Sequence, residues 1–388
     1  MTTPTADVLI IGGGIMGASI AYHATAAGLS VTVLERGAIA GGTSSACEGN
    51  ILVSDKGPGA ELELALLSRR LWQRQAADLG AESFEFDAKE GVVVARHEAA
   101  ATALRAFAAG QRDAGVEVQN MDLAGLLELE PNLARDVAGG AWYPQDAQVQ
   151  PMLATARLLA RARGRGGTVQ GGTTVTGLIR DGERVTGVTT DSPTLPSITA
   201  RWVVNAAGSW AADVAAMAGA PLPILPRRGF ILVTEPLPVL IRHKVYTAEY
   251  VANVASGEAS IQTSVVVEGT RSGTILIGAS RERVGFDRTM NVEVLRRLAA
   301  QAIGVFPILA GVSLLRTYLG FRPYCPDHLP VIGEDPRAPG LIHAAGHEGA
   351  GIGLSAATGH LIAQVAAGIT PDVDLSPFRP DRFGEVTA

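Results

Sequence analysis

Val8-Leu9-Ile10-Ile11 is an unbroken apolar run ahead of a glycine cluster, the pattern of a buried parallel strand. Ile15 to Ala27 follows with helical spacing and meets Gly28, a good C-terminal stop. Val31 to Leu34 is a second apolar strand, which completes one βαβ unit of about 30 residues. Further along, helices are expected over 68–79, 99–113, 152–163 (just after Pro151) and 355–367. Strands are expected over 91–96, 173–178, 184–190, 198–205, 230–234 and 274–278.

The two ends alternate strand and helix, and the middle is richer in β-branched residues. An α/β fold is expected: a Rossmann-like dinucleotide domain of discontinuous segments (1–86, 147–219 and 316–388) interrupted by a β-rich α+β substrate domain (87–146 and 220–315). A length of 388 residues suits two domains. The net charge of -6 gives no reason to expect nucleic acid as a partner. The two cysteines, Cys47 and Cys325, lie far apart, form no metal-ligand pattern and suit a reducing cytoplasm. No stretch reaches about 18 uninterrupted apolar residues, so no transmembrane segment is expected.

Gly12-Gly13-Gly14-Ile15-Met16-Gly17 matches G-x-G-x-x-G and sits between strand and helix, where the chemistry needs it. Gly12 permits the tight turn, Gly14 lets backbone approach a pyrophosphate, and Gly17 lets helix and strand pack closely. The N-terminus of the helix offers N–H donors and a positive dipole end to phosphate. Glu35 closes the second strand at the spacing of a ribose-binding acid. The motif by itself does not choose between two dinucleotides, FAD and NAD.

Segments beyond the motif make that choice by resemblance. Glu35-Arg36-Gly37 followed by Gly41-Gly42-Thr43-Ser44-Ser45-Ala46 resembles the start of the D-amino-acid oxidase superfamily, which includes glycine oxidase and sarcosine oxidase. Residues 173–177, 203–210, 321–327 and 346–354 resemble that superfamily's later FAD-contacting segments, in the same order. Residues 47–56 and 262–270 look most like the catalytic subunits of opine dehydrogenases and hydrogen cyanide synthase. The resemblance implies FAD, held through Gly12, Gly14, Ile15, Met16, Gly17, Glu35, Arg36, Gly42, Thr43, Ser44, Ser45, Gly49, Asn50, Val175, Ala206, Ala207, Gly208, Trp210, Gly346, Gly349, Ala350, Gly351, Ile352 and Gly353. It also implies oxidation of the C–N bond of an amino acid or secondary amino acid to an imine, by hydride transfer to flavin N5. The electron acceptor would be oxygen or another oxidant, and partner subunits of a heteromeric dehydrogenase are possible partners. Gly320 stands where sarcosine oxidase attaches FAD through cysteine, so non-covalent FAD is expected. The strand over 274–278 lacks the lysine that enzyme uses for oxygen.

Arg322 matches the family arginine before proline, and its guanidinium fork suits a substrate carboxylate. A structural salt bridge is the competing reading. Glu348 stands where glycine oxidase has a second arginine; it either meets a cationic substrate group or is solvated. Tyr246 and Tyr250 fall where relatives place substrate-facing tyrosines, with domain core as the alternative. Gln262 is a candidate of the same kind, and His347 reads as structural. Two other readings stay open: an FAD-holding subunit without its own turnover, and an NAD-dependent dehydrogenase.

Overall fold

The computed structural model describes residues 5–250 and 258–384. In chain order the elements are β1 (Thr5–Ile11), α1 (Ile15–Ala26), β2 (Val31–Leu34), β3 (Asn50–Ile51), α2 (Ala60–Leu79), β4 (Gly91–Ala95), α3 (Glu98–Asp113), β5 (Gln119–Met121), α4 (Leu123–Leu129), β6 (Gly139–Tyr143), β7 (Ala147–Gln148), α5 (Pro151–Gly164) and β8 (Thr168–Gln170). They continue with β9 (Val175–Asp181), β10 (Arg184–Thr190), β11 (Ser197–Asn205), α6 (Ala211–Met217), β12 (Leu225–Thr234), β13 (Lys244–Thr247), β14 (Gln262–Gly269), β15 (Ile275–Arg281), α7 (Val292–Val305), β16 (Leu314–Tyr324), β17 (Val331–Glu334), β18 (Leu341–Ala345) and α8 (Gly351–Ala367).

Two eight-stranded sheets organise them. The first runs β17-β18-β11-β1-β2-β8, with the β9–β10 hairpin joined to β11. Its strands β18, β11, β1, β2 and β8 are parallel, and Ile10 pairs with Val33 on one side and Val204 on the other. In such a sheet ligands bind beyond the carboxyl ends of the strands, where the chain order switches direction beside β1. The second sheet runs β16-β12-β15-β14-β13-β4-β6-β5. Strand β16 pairs with β12 along nearly its whole length, so residues 316–324 sit in this second sheet rather than with the dinucleotide segments.

α1 is apolar all round, as a helix enclosed on every side must be. It packs against α5 and α8. At the α1–α8 crossing, an added Cβ on Gly359 would meet the Ser19 backbone carbonyl carbon at 2.6 Å, so the two backbones nearly touch. Residues 348–367 are long and apolar enough by composition to cross a membrane, but 67% of that window is buried inside the protein.

Several elements depart from expectation. α2 begins at Ala60, eight residues before the expected start. The alternation Glu61-Leu62-Glu63-Leu64 reads locally as a strand, but both acids fall in the first helical turn, where they complement the dipole. β12 begins at Leu225 rather than 230, through Pro226, Arg227, Arg228 and Gly229, which break the apolar pattern. The closing helix starts at Gly351, not Ser355.

Candidate active site

A cavity of about 490 Å3 opens at the carboxyl ends of the first sheet and runs under the second. Its first wall follows the glycine turn. Gly12 has φ of 116°, and a Cβ there would meet the Ala206 carbonyl oxygen at 2.4 Å. Gly14 caps α1 with no side chain over the helix end, and the Ile15 N–H donates to Ser44 Oγ at 3.0 Å. Gly12, Gly14, Ile15 and Met16 line the cavity. Gly17 does not; a Cβ on it would lie 1.9 Å from the Gly12 carbonyl oxygen, so its role is the helix–strand contact. At the end of β2, Glu35 accepts from the N–H groups of Gly13 and Gly37, both at 2.8 Å. Arg36 stacks over Trp210 at 4.2 Å, and both line the same end. Ala206, Ala207, Gly208 and Val175 complete this wall. Bare backbone, a helix N-terminus and a strand-end acid along one groove fit a dinucleotide.

The other end brings together Gly42, Thr43, Ser44, Asn50, Gly349, Gly351 and Ile352, with the N-terminus of α8 opening on the cavity. Ser45, Gly49, Gly346, Ala350 and Gly353, expected on this wall, do not line it. Gly49 and Gly353 serve close packing: a Cβ would meet the Val149 carbonyl oxygen at 1.6 Å and the Asn50 carbonyl oxygen at 3.1 Å. Gly346 has φ of 74° and turns the chain between β18 and α8. Sequence reasoning missed Cys47 and Glu48, which lie between expected wall residues, and Gly229, Ile231 and Ala345, which their strands bring there from distant segments.

Arg322 lines this end from β16. Both Thr43 Oγ1 and Ser209 Oγ donate to the Phe321 carbonyl at 2.6 Å, which ties β16 to the cofactor wall. Arg322 Nη1 donates to the Ser280 carbonyl at 2.8 Å, across Gly229; a Cβ on Gly229 would sit 2.1 Å from that nitrogen. No carboxylate among the described residues lies within ion-pair distance of Arg322, so the structural salt bridge weighed for it is not found there.

Glu348 lines the cavity and is partly buried. It pairs with Arg227 at 3.6 Å and His328 at 3.0 Å. Tyr250 lines the cavity, whereas Tyr246 is fully buried behind it with its hydroxyl bonded to Ser54 Oγ. Gln262 Oε1 accepts from Arg227 Nη2 at 3.2 Å. His347 lines the wall and bonds Thr358 Oγ1 at 3.0 Å; burial pushes its pKa down to about 3, which keeps it neutral.

Glu48 was not singled out in sequence. Its Oε1 has no hydrogen-bond partner, and burial raises its pKa. Lys244, buried on β13, bonds Asn50 Oδ1 and Glu268 nearby, so a lysine reaches this region from outside the strand over 274–278. The Cys47 thiol is pushed up to about 12, chiefly by burial.

Residues 7–365 match the family described as FAD dependent oxidoreductase. The chain belongs to that family. It is 35% identical to the hydrogen cyanide synthase subunit HcnC of Pseudomonas protegens over 269 residues, 69% of this chain and 60% of that protein. It is 30% identical to glycine oxidase of Geobacillus kaustophilus over 386 residues, 96% of each chain. A crystal structure of glycine oxidase from that organism superposes with a TM-score of 0.88 at 28% identity, covering 99% of this chain and 100% of that one. L-proline dehydrogenase from P. horikoshii superposes with a TM-score of 0.89 at 25% identity, covering 100% of both. This FAD-dependent oxidoreductase is thus of the glycine oxidase type, with a mixed α/β fold. The cavity wall from Glu35 to Ile352 is where its residues fit FAD.

Proposed function

We propose that this flavoprotein oxidises the C–N bond of an amino acid or an N-substituted amino acid to the imine. Bound FAD supplies the two-electron acceptor for the hydride that leaves the carbon beside nitrogen. The protein's part is to hold the substrate carboxylate, exclude water and fix the orientation of that carbon. The observation that carries the reading is Arg322, a cation without a carboxylate partner on the wall of the cofactor cavity. A guanidinium so placed binds a carboxylate with two parallel hydrogen bonds. The proposed division of labour gives the first sheet to the cofactor and the second to the substrate, with β16 serving both. Non-covalent FAD is part of the proposal, because Gly320 offers no side chain and the Cys47 thiol stays protonated.

One relative is named as a subunit of a synthase, which supports a place in a heteromeric complex. The test of both ideas is anaerobic mixing of the purified yellow protein with amino acids and secondary amino acids. Bleaching of the flavin by the chain alone is expected. A flavin that no such compound reduces, with or without partner subunits, would sink the proposal; reduction only with partners would favour the holding-subunit reading.

A further inference from the structure

The segment just before β3 brings one carboxylate, that of Glu48, to the same end of the cavity as Arg322. The residue is only 6% exposed. Its Oε1 lies 2.5 Å from where a Cβ on Gly278 would be, and has no hydrogen-bond partner. Oε2 accepts one long hydrogen bond, 3.4 Å, from Asn50 Nδ2. The Asn50 amide is turned that way because its Oδ1 accepts from Lys244 Nζ on β13, which leaves the NH2 group to face Glu48. Lys244 is itself paired with Glu268 on β14, so its charge is already answered. Among the described residues no cation lies within ion-pair distance of Glu48, and residues 251–257 contain no basic residue. A buried carboxylate so placed is costly unless a cationic ligand meets it.

The other acids and proton carriers on the cavity wall are already engaged or cannot take a proton. Glu35 is held by the N–H groups of Gly13 and Gly37, and Asp213 lies on α6 beside Trp210, both at the dinucleotide end. Glu348 is paired with Arg227 and His328. Burial raises the Tyr250 hydroxyl and the Cys47 thiol, so both keep their protons. His347, pushed down to about 3 by burial, binds a proton too weakly. Glu48 differs. Burial lifts its carboxyl above the usual carboxylate range; Glu268 adds to the lift, while Lys244, Arg322 and the Asn50 bond oppose it. Tyr318, Tyr250 and Cys47 also face it, and burial keeps all three uncharged. A raised carboxyl takes a proton more readily than an ordinary one, as a base working near neutral pH must.

We infer that Glu48 is the base of the reaction, the group that takes the proton from the substrate ammonium while Arg322 holds the carboxylate. This rests on the C–N oxidation reading and gives that site its proton acceptor. An amino acid reaches the cavity as a zwitterion, and its protonated nitrogen has no electron pair to give. The ammonium N–H bond breaks, the proton passes to the Glu48 carboxylate, and the electron pair stays on nitrogen. The hydride then leaves the neighbouring carbon with its two electrons, for which bound FAD is the oxidant. The nitrogen pair becomes the second bond of C=N. Asn50, fixed by Lys244, is the positioning residue that keeps the carboxylate in place.

The test uses the FAD-loaded protein at matched flavin content and two readouts. In the first, 2-aminoisobutyrate and pivalate are titrated and the perturbation of flavin absorbance is followed. The former has no hydrogen on the carbon beside nitrogen, so no turnover is involved; the latter carries methyl in place of ammonium. Wild type should bind 2-aminoisobutyrate at least about tenfold more tightly, a comparison that needs no variant. Glu48→Gln should remove the preference and leave pivalate unchanged, and Glu48→Asp should keep part of it. In the second, anaerobic flavin reduction is compared for N-ethylalanine and N-(2,2,2-trifluoroethyl)alanine, whose fluorines leave the nitrogen largely unprotonated at neutral pH. At pH 7 Glu48→Gln should slow the first roughly 100-fold, the scale of general-base catalysis, and the second far less. With N-ethylalanine the wild-type rate should rise with pH as Glu48 ionises. In Glu48→Gln that limb should vanish, and the rate should follow the substrate ammonium instead, whose pKa is about 10. Equal affinity of wild type for the two acids, or no binding of either, overturns the ammonium contact. Equal slowing of both amines with an unchanged pH profile makes Glu48 structural and overturns its role as base. If both amines reduce the variant as fast as wild type, the base fails and the oxidation reading stands. If the binding preference depends on Glu48 but neither amine reduces the flavin, the ammonium contact stands and the oxidation reading fails.

Discussion

Gly229 decides where Arg322 can lie. The glycine leaves a gap that the guanidinium crosses to reach the Ser280 carbonyl, and both atoms are within 2.5 Å of where a Cβ would be. Two predictions follow from that packing and the proposed role. Arg322→Lys keeps charge but loses the fork, and a charge-assisted hydrogen bond contributes about 1.5–3 kcal/mol. A fall of roughly 10- to 150-fold in kcat/KM for a carboxylated substrate should result, since about 1.4 kcal/mol is tenfold. The decarboxylated amine should be little affected, and FAD content should not change. Gly229→Ala should weaken the same substrates by pushing the guanidinium aside. Rates that fall equally for acid and amine would make Arg322 a structural residue. At this scale the cofactor wall was legible because its glycines and Glu35 lie within one short segment whose spacing has a physical cause. Arg227 was not legible, because only the pairing of β12 with β16 makes it a neighbour of Arg322.

At the scale of elements, a buried polar chain holds the end of the parallel sheet. Asn205 at the end of β11 donates to the Ala211 carbonyl at 2.9 Å and contacts His343 Nδ1 on β18 at 3.1 Å. His343 Nε2 reaches Asp335 at 3.2 Å, and Arg337 grips the same carboxylate through Nε and Nη2 at 2.9 and 2.8 Å. These bonds hold the fully buried Asp335 carboxyl well below the usual carboxylate range despite its burial, and burial lowers His343. A carboxyl depressed in the folded state stabilises it above its unfolded pKa of about 3.9, and loses that contribution as pH falls toward the folded value. His343, neutral when folded, adds acid sensitivity starting near its unfolded value of about 6.5. Asp335→Asn should therefore cost about 1.5–3 kcal/mol at pH 7. Urea unfolding at several pH values should show the gap to wild type closing below about pH 4. A gap independent of pH would mean that the carboxylate charge is not what matters. Sequence patterning found α1, α5, β10 and β11 because each carries its own periodicity. It missed the start of α2 and the first half of β12, where acids serving a helix dipole or a Pro-Arg-Arg-Gly run interrupt the apolar repeat.

On the scale of the whole molecule, the cavity belongs to neither sheet alone. Gly14, Glu35 and Ala206 come from the turns of the first, and Ile231, Gly320 and Arg322 from strands of the second. FAD seated there would therefore touch both, and a ligand that binds only the folded form stabilises it by mass action, about 2.7 kcal/mol at a hundredfold excess over its Kd. Removal of FAD is expected to lower the melting temperature of the protein as a unit, and its return to restore it. The way it leaves tests the attachment. A cysteine must be a thiolate to bond the flavin, yet the Cys47 thiol on this wall is pushed up to about 12 by its burial and by Glu48. At position 320 a Cβ would meet the Ala46 carbonyl oxygen at 2.6 Å, so the strand approaches too closely there for any side chain. Cys325, also buried with its thiol raised, does not line the cavity. Acid precipitation should accordingly release all the flavin into the supernatant, leaving a colourless pellet. Yellow colour retained by the pellet would show a covalent link. If only one of two thermal transitions responds to added FAD, the cofactor is gripped by one sheet, and the shared cavity does not couple them.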